Sequence, residues 1–210
     1  MNLLDTFLRS QFGRPSGLIG SLVVAPLLNA GNAGLVQAAM EALAPNPADA
    51  VLDIGFGGGA SLVAMAEKVP RGHVTGIDYS PDMVAGAERL ILKKRLSARV
   101  GVQFGDVAEL PFRAGTFHRV LTVNSLYYWP DLQGALREIR RVLKRGGRVA
   151  VGFHSPWSVR LFTRGWEGFW LYEPRELADR MQEAGFEVLQ TVHRDRWLLF
   201  DSVVVLGQRR

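Results

Sequence analysis

Asp53 sits inside Val51-Leu52-Asp53-Ile54-Gly55-Phe56-Gly57-Gly58-Gly59, where an apolar run breaks into glycines. Glycines tolerate positive φ and let a backbone come close to a ligand. A carboxylate at such a point has little packing value and a clear use as the acceptor for an amine. His154 ends another apolar run, in Phe153-His154-Ser155-Pro156. An imidazole there can take a proton near neutral pH, or it is simply a hydrogen-bonded loop residue. Asn124-Ser125-Leu126-Tyr127-Tyr128-Trp129-Pro130-Asp131 follows a further run, and its tyrosines either line a substrate pocket or fill the core. His118 reads as a surface residue at the far end of its run, and His193 as structural. No cysteine is present, which excludes disulfides, thiolate metal sites and cysteine nucleophiles together. No histidine–carboxylate cluster with ligand spacing is visible, so no metal is expected.

These positions need strands that end together. From residue 50 onward, short β-branched runs alternate with helical stretches, which predicts a parallel sheet with crossover helices. The strands are expected at 51–54, 73–77, 100–104, 120–123 and 148–153. Helices are expected at 61–68, at 83–96 with Pro81 at its start, at 132–143 ended by Gly146-Gly147, and at 174–184. Two last strands, 186–193 and 200–207, are separated only by 194–199, too short for a helix, so they should pair antiparallel. The expectation is an α/β three-layer sandwich: a seven-stranded, mostly parallel sheet closed by an antiparallel C-terminal hairpin, plus N-terminal helices. Ligands of such sheets lie at the carboxyl ends of the strands, where Asp53, Asn124 and His154 fall.

The 210 residues fit one domain, with 1–44 as an N-terminal helical lid, 45–154 as a cofactor-binding Rossmann-like core and 155–210 as an aromatic substrate segment, last helix and closing hairpin. The lid reads as short helices broken by Gly13-Arg14-Pro15-Ser16-Gly17 and by Pro26, with a helix at 36–43. A net charge of +5 is spread along the chain and reads as a solvated surface, without a nucleic-acid partner. No apolar run reaches the roughly 18 residues of a spanning helix. Residues 18–30 loosely mimic a leader, but Pro26 and Asn29 interrupt them, and a cytoplasmic protein is expected. Aromatics crowd the stretch 157–172, among them Phe162, Trp166, Phe169, Trp170 and Tyr172. They suit an apolar lid or pocket wall, an oligomer interface or a membrane-touching patch.

Four motifs, in order, carry a resemblance. Asp53-x-Gly55-x-Gly57-x-Gly59 resembles motif I of the class I S-adenosylmethionine-dependent methyltransferases. Ile77-Asp78-Tyr79-Ser80-Pro81-Asp82-Met83, Gly105-Asp106-Val107-Ala108-Glu109-Leu110-Pro111-Phe112 and Leu143-Lys144-Arg145-Gly146-Gly147-Arg148 resemble the segments that follow. The group most resembled methylates small molecules and includes the ubiquinone/menaquinone-biosynthesis enzymes. The resemblance implies S-adenosylmethionine as cofactor and gives each residue a role. Asp53 would take the methionine amino group, with Gly55, Phe56, Gly57 and Gly59 bedding the methionine and ribose. Asp78 would take the ribose hydroxyls; its competing role is to cap the next helix, which Ser80 can also do. Tyr79 and Met83 would sandwich adenine, although a methionine at helical spacing also suits a core. Asp106 and the Val107 amide would hold the adenine edge, and Asn124 and Ser125 would flank the cofactor. Tyr127, Tyr128, Trp166 and Trp170 are candidate acceptor contacts, and His154 the candidate base. Ser125-Leu126 stands where base-methylating enzymes carry two prolines, which argues against a nucleic-acid acceptor.

The expected chemistry is in-line displacement onto a small, apolar or aromatic acceptor by a monomer or homodimer. Three rivals remain: a nicotinamide oxidoreductase, since the glycine run with Ala60 also fits a dinucleotide fingerprint; a non-catalytic cofactor-binding protein; and an RNA methyltransferase.

Overall fold

The computed structural model describes residues 25–163, 169–197 and 200–210, with side chains described for 33–160, 169–193 and 201–210. In chain order the elements are α1 (Ala25–Leu43), β1 (Ala50–Ile54), α2 (Ala60–Lys68), β2 (His73–Asp78), α3 (Pro81–Lys93), β3 (Val100–Phe104) and β4 (Phe117–Val123). A single 3₁₀ turn, Leu126–Tyr128, precedes α4 (Leu132–Val142), β5 (Leu143–His154), α5 (Pro156–Thr163), α6 (Pro174–Glu183), β6 (Phe186–Trp197) and β7 (Phe200–Arg209). The strands form one seven-stranded sheet in the order β3-β2-β1-β4-β5-β7-β6. β1 to β5 are parallel, and β7 runs antiparallel between β5 and β6. The expected seven-stranded sheet with its closing hairpin is therefore the observed one.

Helices cover both faces because the strands are apolar on both sides. Leu35, Met40, Leu62, Met65 and Ile91 of α1, α2 and α3 pack on one face. Leu136, Ile139, Leu177 and Met181 of α4 and α6 pack on the other. In α4 the buried positions Leu132, Ala135, Leu136, Ile139 and Val142 recur at helical spacing. Asp131 caps that helix by accepting from the Gly134 amide at 2.8 Å. Strand order reverses between β1 and β4, the switch point beside which sheets of this kind place ligands, at the carboxyl ends of the strands.

Several boundaries differ from the sequence reading, each for a local reason. Pro26 does not break α1 but stands in its first turn, where a missing N–H costs nothing. The helix then runs unbroken through Asn29, Gly31 and Asn32. Gly146-Gly147 does not end α4. That helix passes at Leu143 straight into β5, and the glycines lie in a register shift where Phe117 pairs Leu143 but Arg119 pairs Arg148. The closing strands extend further than expected, β6 to Trp197 and β7 from Phe200. The aromatic stretch opens with α5, which was not foreseen.

His118 is a half-buried structural residue and not a free surface one. Its Nδ1 accepts from the Ala50 amide at 2.9 Å, and its Nε2 lies 2.9 Å from the Lys144 ammonium nitrogen. Asp49 and Arg119 beside it, 3.5 Å apart, tie β4 to the approach to β1. Among the described residues no helix is long and apolar enough to cross a membrane. The expected breaks at Gly13–Gly17 and the leader-like residues up to Val24 lie outside the described residues.

Candidate active site

The turn after β1 is a compact left-handed path. Gly55 has φ +70°, and its amide donates to the Ile77 carbonyl at 2.8 Å. A Cβ built on Gly55 would stand 2.5 Å from the Ser125 Cβ, so the loops after β1 and β4 touch there. Both the angle and the contact require glycine. Gly57, at φ +53°, points its amide at Asp78 Oδ2, 2.9 Å away. Asp78 Oδ1 accepts from the Ser80 amide, also at 2.9 Å. One carboxylate therefore holds the glycine turn against the start of α3. Ser80 occupies the N-cap position, but its side chain makes no cap bond, contrary to the role anticipated for it.

Asp53 is 2% exposed, and among the described residues its Oδ2 has no hydrogen-bond partner. Burial pushes its carboxyl up to about 7; a hydrogen bond from Ser61 pulls it down and the nearby Asp78 charge adds to the rise. Asp53 and Ser61 line a cavity of about 490 Å³ between α1 and the glycine turn, with Val36, Met40, Phe56 and Gly57 among its other walls. An unpaired carboxylate oxygen inside a mostly apolar cavity is costly alone and is matched by a cationic donor.

Toward β3 the site becomes open and aromatic. Tyr79 is 65% exposed and lies against Phe104, with ring centroids 5.6 Å apart. Met83 is half-buried and packs on the α1–α3 core. Asp106 is exposed and accepts from the Ala108 amide at 2.9 Å, while Val107 is buried beside it. Asp53, Asp78 and Asp106 thus mark successive points along the carboxyl edge of β1, β2 and β3.

On the β4–β5 side, Asn124 adopts φ +56°, and its amide donates to the Gly152 carbonyl. Ser125 is buried, with its hydroxyl hydrogen-bonded to that of Thr122. Tyr127 is a buried strut and not an open wall. Its hydroxyl accepts from the His154 amide at 2.6 Å and lies 3.2 Å from Asn124 Oδ1. Tyr128 is half-exposed and meets Phe169 edge-on at 5.3 Å. Trp170, also half-exposed, donates its backbone amide to the Tyr127 carbonyl. Trp166 lies outside the described residues. The His154 imidazole is held below its ordinary pKa by burial, partly offset by the Asp201 charge and a hydrogen bond to the Asp201 backbone. His193 is exposed on the edge strand β6, opposite Val203 of β7.

Ser61, Phe104 and Asp201 were not singled out in the sequence. Ser61 and Phe104 each adjoin a motif and could have been found there. Asp201 had no local signal, because only the pairing of β5 with β7 brings it to His154.

Residues 51–147 match the family model described as a methyltransferase domain. A demethylmenaquinone methyltransferase of Geobacillus sp. (strain WCH70) is 31% identical over 163 residues, covering 64% of this chain and 69% of that protein. The chloroplastic 2-methyl-6-phytyl-1,4-hydroquinone methyltransferase 1 of Oryza sativa subsp. japonica is 35% identical over 140 residues, 65% of this chain and 41% of that one. The chain spans about two fifths of the length of the first such relatives it matches. In fold it superposes on geranyl diphosphate C-methyltransferase from Streptomyces coelicolor A3(2) with a TM-score of 0.75, at 18% identity, over 96% of this chain and 88% of that one. The chain belongs to the class I S-adenosylmethionine-dependent methyltransferases. Within that class it is of the ubiquinone/menaquinone type.

Proposed function

We propose that the protein transfers a methyl group from S-adenosylmethionine to a small, apolar acceptor carrying an aromatic ring. The observation that carries the cofactor assignment is Asp53: a buried carboxylate oxygen without a partner among the described residues, on a cavity that begins at the glycine turn. Its position and charge suit the methionine ammonium. The backbone of Gly55, Phe56, Gly57 and Gly59 would bed the methionine and ribose. Each Asp78 oxygen accepts one backbone N–H and keeps a lone pair for a ribose hydroxyl. Tyr79, backed by Met83, would cover the adenine, and Asp106 with the Val107 amide would take its edge. Asn124 and Ser125 would close the β4 side.

When bound, the cofactor supplies a methyl group already activated on a sulfonium, so the protein's work is orientation and exclusion of water. Well-oriented pairs gain on the order of 7–11 kcal/mol in this way. The acceptor would approach across the β4–β5 edge, where Tyr128 and Trp170 are half-exposed and Phe169 joins them. His154, kept neutral at pH 7, would take the proton of an ionisable nucleophile. Tyr127 would support this wall without lining it. The relatives named above act on a phytyl hydroquinone and a demethylmenaquinone, which supports an aromatic acceptor with an apolar substituent. We place the enzyme in the cytoplasm, as a monomer or homodimer.

The test is thermal unfolding with S-adenosylmethionine, S-adenosylhomocysteine, NADH and NADPH in parallel. A ligand at a hundred times its Kd adds about 2.7 kcal/mol, a shift of several degrees for a domain of this size. The expected result is a shift with the two adenosyl-sulfur compounds alone. A shift confined to the nicotinamides would overturn the proposal.

A further inference from the structure

Two large aromatic side chains stand exposed side by side at one end of the sheet. Tyr79 follows β2 and is 65% exposed; Phe104 ends the edge strand β3 and is 54% exposed. Their rings are 5.6 Å apart and tilted by 35°. Folding alone gives little reason for a phenylalanine here, since over half of its surface stays in water. The pair does not belong to the hydrophobic core on either face of the sheet. The backbone beneath it is firmly set. Asp78 pairs with Phe104 in the β2–β3 register, the Gly105 amide donates to the Asp78 carbonyl at 3.1 Å, and Asp78 clamps the Ser80 amide. This fixes where the Tyr79 side chain leaves the chain, but not which way its ring lies. Among the aromatic contacts of the described residues, the one that Tyr79 makes is with Phe104.

We propose that Phe104 is a positioning residue for the cofactor's adenine: it holds the Tyr79 ring in the orientation that stacks on the purine. The inference rests on the reading of Tyr79 as the adenine platform. A flat ring held in place before binding loses less freedom when the purine arrives, so part of the affinity originates one residue away from the ligand. Phe104 itself need not touch the cofactor. The same logic predicts that the support must be aromatic, because a branched aliphatic side chain cannot offer a face to the tyrosine ring.

The experiment is a double-mutant cycle on S-adenosylhomocysteine binding by calorimetry, with 5′-methylthioadenosine as a second probe that keeps the adenosine and lacks the amino acid. Phe104→Ala is expected to weaken both ligands by roughly three- to tenfold. Phe104→Tyr should bind like the natural chain, and Phe104→Leu like the alanine variant. Melting temperatures are followed throughout; with Phe104 so exposed, they should change little. In a Tyr79→Ala background, Phe104→Ala should cost nothing further. Equal losses from Phe104→Ala with and without Tyr79 would overturn the proposal, as would full affinity in Phe104→Ala. If Tyr79→Ala itself binds normally, the adenine assignment falls, and the positioning role falls with it.

Discussion

Asp53 is where a single residue decides the most. Its carboxyl is pushed up to about 7 from 3.8, chiefly by burial. Between those values the folded protein keeps a proton that the unfolded chain has lost. Stability therefore falls as pH rises from about 4 to 7 and levels off above that, with a total cost of about 4 kcal/mol. Asp53→Asn removes this cost. In urea unfolding without ligand, the variant should be more stable than the natural protein at pH 8 and nearly equal to it near pH 4. A variant equally stable at both would show that the buried charge is not destabilising. On the proposed reading of the site, the same substitution should abolish binding of S-adenosylhomocysteine, whose ammonium would lose its acceptor. In the natural protein that binding should weaken below pH 7, approaching tenfold per unit as Asp53 takes up its proton. A flat profile from pH 5.5 to 7.5 would separate Asp53 from the cofactor.

Between elements, the site is held by a few polar ties at the ends of strands. Tyr127 is the clearest: from the 3₁₀ turn after β4, its hydroxyl accepts the His154 amide at the end of β5. Tyr127→Phe keeps the ring and leaves that part-buried amide without its phenol partner, so it should cost about 1–3 kcal/mol. The check is a lower urea midpoint with an unchanged slope; an unchanged midpoint would mean that water replaces the phenol. Gly55 is the second tie. Gly55→Ala meets both a positive φ and the Ser125 Cβ. Adding Ser125→Gly should recover the part due to the clash and leave the backbone strain, about 1–2 kcal/mol. Complete recovery would show that the strain is negligible.

At the scale of the whole molecule, the central strands β1, β4 and β5 are covered on both faces, while β3 and β6 are edges. Native-state hydrogen exchange should be slowest in peptides spanning 51–54, 120–123 and 149–153 and faster in both edge strands. Equal protection across the sheet would mean that it opens only as a unit. Much of this architecture was legible beforehand, because parallel strands buried on both faces leave near-continuous apolar runs and their crossover helices leave a helical period. The glycine turn and Asp53, Asp78 and Asp106 were legible too, since a motif read along one chain keeps its spacing. Less legible was whatever depends on two distant segments. Tyr127 reads as either a pocket or a core tyrosine until the His154 amide at the end of β5 donates to its hydroxyl. His118 reads as surface until Ala50 and Lys144 close on it. Phe104 reads as one more apolar strand residue until Tyr79 lies against it. The sequence by itself determined the order of the elements and the acidic points along their ends, because both are local patterns of hydrophobicity and turn chemistry. Only the tertiary structure decided which side chains are spent on holding the site together and which remain for a ligand, because hydrogen-bond partners and burial come from packing between segments far apart in the chain.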